Sequence, residues 1–117
     1  MFESNRGFQL WEYRVSHQQL LIRSPSTPEI DTNVDLIFRG VAFLNAPTTF
    51  SGIKICKRSG GAYPSYGKSS FELHTEGRVF EIVALSCKVL EHELDIFEST
   101  LDFFTGEKQV TRELYRF

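Results

Sequence analysis

The sequence predicts a mainly β protein, an antiparallel β-sandwich or partly closed barrel of about seven or eight strands, with one short helix near residues 97–105. Two observations predict the class. Apolar and polar residues alternate at period two along most of the chain, and helical periodicity is confined to one short stretch. A third observation sets the scale. At 117 residues the chain is one domain, because two halves would each be too small to bury a core unaided, and 41% hydrophobic residues with eleven Phe fill one core without disulfides or metals.

The elements follow in order. In "FQLWEYRVSH", Trp11, Tyr13 and Val15 share one parity and Glu12, Arg14 and Ser16 the other, the pattern of a half-buried strand facing a core with its first row. "QQLLIRS" follows after a very short connection, so the two runs form a hairpin, with Leu20 and Ile22 on one side and Leu21 and Arg23 on the other. "PSTPEIDTN" is a loop, since Pro25 and Pro28 cannot donate to a ladder and the polar residues supply turn chemistry. "VDLIFRGVAFLNAP" is apolar on both parities and reads as one central strand buried on both faces, with Gly40 at a bulge or bend.

"FSGIKICKR" and "SSFELHTEG" alternate again, and "RVFEIVALSCKVL" is a second long, doubly apolar strand. Beyond it two periods compete. Leu90, His92, Leu94 and Ile96 alternate with acids as in a strand, whereas Leu90, Leu94, Phe97, Leu101 and Phe104 recur at helical spacing ahead of Gly106, a helix stop. The reading adopted is a strand to about Ile96 and then the short helix. "QVTRELYRF" closes the chain as a last strand.

The net charge of −2 argues against a nucleic-acid binder, which would carry a basic stripe. The total hides an asymmetry. Residues 51–70 hold Lys54, Lys57, Arg58 and Lys68 with no acid, and residues 89–107 hold Glu91, Glu93, Asp95, Glu98, Asp102 and Glu107 with no Lys or Arg. Cys56 and Cys87 are too few for a disulfide framework and lie at no zinc-finger spacing, which fits a reduced cytoplasmic compartment. The first residues have no apolar signal core, and no run approaches the roughly 20 apolar residues of a membrane helix, so no membrane partner is expected.

One motif invites a nucleotide reading. "AYPSYGKSSF" contains Gly67, Lys68 and Ser69 in the relaxed spacing of a phosphate-binding loop. That chemistry needs a first glycine, free amides and a following helix; Ala62 replaces the glycine, Pro64 removes an amide, and a strand pattern follows. The stretch is therefore an inter-strand connection. Its composition still suits binding, with Lys57, Arg58 and Lys68 as cations and Tyr63 and Tyr66 as amphipathic anchors.

His17, His74 and His92 fall in separate segments without metal-ligand spacing, and no motif implies a cofactor. His17 continues the Trp11, Tyr13, Val15 parity, which would bring it to the edge of the core or a cleft. Cys87 shares the parity of Val83, Leu85 and Val89 and reads as a small buried hydrophobe. Cys56 has nearby cations but no assignable base.

"LWEYRVSHQQLLIRSP" followed by "DLIFRGVAFLNAPTTFSGIKI" resembles a group of small bacterial proteins of unknown function, over about the first half of the chain. The shared residues are core and turn residues, so the resemblance implies a fold and no activity. The leading expectation is a small cytoplasmic binding module, regulatory or immunity-like, that meets an unidentified protein partner through Glu91, Glu93, Asp95 and Glu98 or through the Tyr63/Tyr66 loop. The alternative is a small-molecule-binding or enzymatic barrel with a pocket near His17. A homo-oligomer is the third reading.

Overall fold

The computed structural model describes residues 1–58, 67–102 and 111–117. These form a single antiparallel sheet of nine strands: β1 (Phe2–Arg14), β2 (Gln19–Ser24), β3 (Asn33–Arg39), β4 (Phe43–Asn45), β5 (Thr49–Arg58), β6 (Ser69–Thr75), β7 (Arg78–Ala84), β8 (Ser86–His92) and β9 (Thr111–Arg116). Their order is β4-β7-β6-β5-β1-β2-β3-β8-β9. The expected class holds, and the strand number exceeds the expected seven or eight because each of the two long apolar runs is two strands.

Those breaks roll the sheet. β3 and β4 are consecutive in the chain yet stand far apart in the sheet order, and so do β7 and β8. The joints lie side by side. Arg39 pairs with Ser86 before the break and Phe43 with Val83 after it, and the Leu85 N–H donates to the Arg39 carbonyl across the corner. Gly40 turns the corner at φ 64°, and a Cβ there would lie 2.6 Å from Leu85 Cδ1. Gly40→Ala is therefore expected to lower stability by about 1–2 kcal/mol for the left-handed backbone alone, and by more for the displaced Leu85. Urea unfolding checks this, and Leu85→Ala in the same background should recover part of the loss.

The inner rows meet in one core. β2 and β3 contribute Leu20, Ile22, Leu36 and Phe38, facing Phe8 from β1, Ile55 from β5, Phe71 and Leu73 from β6, Ile82 from β7 and Val89 from β8. Phe71 stacks edge-on against both Phe38 and Phe117, each at 5.6 Å between ring centres. Cys87 lies fully buried here, and burial pushes its thiol pKa well up.

β1 carries the main departure from simple alternation. Its register shifts between Leu10 and Glu12, which inserts Trp11 as an extra residue. The inward row of β1 is thus Phe8 and Leu10, whereas Trp11 packs on the opposite face with Leu21 and Ile37. Tyr13 is exposed, and Val15 lies beyond the strand at 82% exposure. The predicted core row of Trp11, Tyr13 and Val15 is therefore corrected.

The predicted extension of a strand to Ile96 is also corrected. β8 ends at His92, which pairs with Asn33, the first residue of β3, so the β3 ladder runs out there. Residues 93–102 instead cross the outer face of β2, β3 and β8 as a strap. Within the expected 97–105 helix, the strap has only a 3₁₀ turn at Thr100–Asp102, and residues 103–105 lie outside the described residues.

Candidate functional site

The outer face under the strap is where the chain departs furthest from ordinary strand chemistry. The register that sends Leu20 and Ile22 inward sends Leu21 and Arg23 outward, opposite Ile37 and Asp35. Leu21, Ile37 and Leu101 make a small second core with Trp11 and Leu90. Beside it lie Arg23 and Asp35, both at 0% exposure. An ion pair so buried survives only if its remaining donors and acceptors are satisfied.

They are satisfied, and by the strap. Arg23 donates from Nε and Nη2 to the two Asp35 carboxylate oxygens at 2.7 and 2.9 Å, a bidentate fork. Its other N–H groups reach the carbonyls of Ile96 and Glu98, both at 2.9 Å. The guanidinium also sits 5.3 Å from the centre of the Trp11 ring. Asp35 Oδ2 accepts further bonds from His92 Nε2 at 2.7 Å and Thr100 Oγ1 at 2.8 Å. The Leu94 N–H donates to His92 Nδ1, which leaves the ring proton on Nε2 facing Asp35. Burial raises the Asp35 pKa, but hydrogen bonds from Arg23 and His92 and the charge of Arg23 outweigh it, and the carboxyl is held below its usual value.

Other contacts reinforce the strap along its length. The Asn33 amide donates to the Leu94 carbonyl at 3.0 Å, Ser99 Oγ to Glu12 at 2.6 Å, and Arg14 to Asp102 at 2.7 Å. Phe97 N–H closes a local turn onto Asp95 Oδ1 at 2.9 Å. All this fixes a segment whose central side chain points into solvent: Phe97 is 92% exposed, with Ile96 partly exposed beside it. Glu93, Asp95 and Glu98 are exposed on the same strap. The two carbonyls that Arg23 holds, Ile96 and Glu98, are the immediate neighbours of Phe97 in the chain.

The other predicted site residues are spread more widely. Glu91 is half-buried and committed to the fold, accepting from Thr32 Oγ1 at 2.8 Å and Arg112 at 2.7 Å. Lys57 is exposed at the end of β5, and Arg58 pairs with Glu72 at 2.9 Å. Tyr63 and Tyr66 lie outside the described residues. His17 is not at the edge of the core. It is exposed in the β1–β2 turn at φ 62° and lines an outer groove of about 650 Å³ with Lys68, Arg39, Val15 and Leu85. The core that a barrel pocket would need is occupied by side chains.

The basic 51–70 and acidic 89–107 segments do not pair with each other through these bridges, since Arg58 goes to Glu72 and Asp102 to Arg14. Among the described residues, no three His, Cys, Asp or Glu side chains are grouped to hold a metal ion, and no helix is long and apolar enough to cross a membrane. No family model, curated protein or solved structure matches the chain.

Sequence reasoning placed Glu93, Asp95 and Glu98 at a candidate surface and missed Phe97, Arg23, Asp35 and Thr100. One signal was present. Arg23 and Asp35 are charged residues inside two otherwise apolar runs, and charges there must find partners.

Proposed function

We propose that this protein is a regulatory or immunity-like binding module, and that the strap is its contact element. Phe97 is the anchor, inserting into an apolar recess of a protein partner, and Glu93, Asp95 and Glu98 face cations around that recess. The observation that supports this reading is the pairing of a 92% exposed Phe with a fully buried Arg that holds the carbonyls on either side of it. A large aromatic left in water is costly to solubility and common at binding hot spots. Fixing its backbone in advance removes ordering entropy from association. Two unpaired cysteines, one buried and one half-buried, support a reducing cytoplasmic setting.

The test is affinity capture from host lysate with wild type, Phe97→Ala and Glu93→Lys/Glu98→Lys in parallel. The expected result is a stoichiometric protein retained by wild type and lost with both variants, with folding unchanged by circular dichroism. Capture of the same proteins by all three would overturn the reading, as would capture of none.

A further inference from the structure

The groove beside the β1–β2 turn has the chemistry that the strap calls for. Val15 and Leu85, 82% and 58% exposed, supply apolar surface on its walls, and Arg39 and Lys68 supply charge. The positive region extends past the groove. Lys88 and Arg116 stand directly opposite each other across the β8–β9 ladder, and like charges in that register repel. Burial lowers the Lys88 pKa, and repulsion from Arg116 and Arg39 lowers it further. Glu113 offsets part of it but is bound to Arg116 at 2.7 Å. A cationic cluster held against its own repulsion, next to exposed apolar side chains, is complementary to an acidic segment with an apolar tip.

The chain displays such a segment, and its bonds to Arg23 hold the Phe97 tip away from its own groove. Phe97 is held over Arg23, whose β3 partner Asp35 stands four residues before Arg39, about 13 Å along the strand from the groove, and the strap then ends its run on Arg14 through Asp102. We infer that the groove receives the strap of a second copy of this chain, with Phe97 between Val15 and Leu85 and with Glu93, Asp95 and Glu98 facing Arg39, Lys68 and Lys88. This rests on the strap being a contact element, as proposed above, and names its partner. The two surfaces differ, so the contact is head-to-tail, and copies add until a ring closes or a filament grows.

Sedimentation velocity over a wide range of protein concentration, at low and high salt, tests this. The expected result is a mass that rises with concentration at low salt and falls back toward the monomer at high salt. Phe97→Ala and Arg39→Glu should each weaken association by at least about tenfold. Mixing those two variants should restore a 1:1 dimer that grows no further, because one retains a working groove and the other a working strap. A monomer at every concentration, or an assembly that both substitutions leave intact, would overturn the inference. If the protein stays monomeric while Phe97-dependent capture of a different protein persists, the contact role of the strap stands and only the second-copy partner falls.

Discussion

Asp35→Ala is expected to destabilise the protein by about 3–5 kcal/mol, the largest single-site loss anticipated outside the main core. The carboxylate accepts bonds from Arg23, His92 and Thr100, all in surroundings without solvent access. Its removal leaves a buried guanidinium with no counter-charge and two further donors unsatisfied. The exposed pair of Arg116 and Glu113 provides the contrast: Glu113→Ala should cost under about 1 kcal/mol, because Arg116 is left in water. Urea unfolding of the two variants beside wild type separates these cases.

The same carboxylate fixes the direction of acid sensitivity. A folded-state pKa below the unfolded value means that the contribution of Asp35 is complete above the unfolded value, about 3.9, and is lost as pH falls through the folded value beneath it. Wild-type stability should therefore decline on acidification below about pH 4, and Asp35→Ala should show a shallower decline there. Equal acid slopes in the two proteins would contradict this.

The second large effect separates binding from stability. Phe97→Ala should change unfolding free energy by less than about 0.5 kcal/mol, because the side chain is almost wholly in solvent. In binding, the same substitution removes the proposed anchor. Loss of an aromatic hot spot costs about 2 kcal/mol or more, roughly a thirtyfold rise in Kd. A substitution silent in one assay and severe in the other is the signature of a contact residue. A core residue would move both.

How much of this was legible in the sequence depended on which neighbour each residue meets. Alternation in "LLIRS" and "FELHT" was enough to place Leu20, Ile22, Phe71 and Leu73 inward, because those strands run without interruption. Where a strand changes neighbours the pattern misled. The extra residue at Trp11 split the "WEY" row, turning Trp11 to the outer face while Tyr13 stays opposite the inward Leu20, and the corner at Gly40 and Leu85 made two doubly apolar runs read as single strands. Continuous apolarity reports burial on both faces and is silent on which strands provide it.

The strap was hidden for a different reason. The alternation from Leu90 to Ile96 is real, but β3 starts opposite His92, and no local signal records where a partner strand begins. The acids of the strap were visible as a charge run. The role of Phe97 was not, since a Phe at helical spacing from Leu90, Leu94 and Leu101 reads as core. Only the placement of Arg23 beneath residues 96 and 98 turns that side chain outward.

The central claim is that the buried arginine presents Phe97, and Arg23→Lys tests it most directly. A lysine keeps the positive charge beside Asp35 but lacks the planar fork that reaches the carboxylate and both strap carbonyls together. Binding of the captured partner should be titrated against this variant and wild type under conditions where both are folded by circular dichroism. The account predicts at least about tenfold weaker binding by Arg23→Lys although Phe97 is intact. Equal affinity would show that the strap needs no pinning and would contradict it.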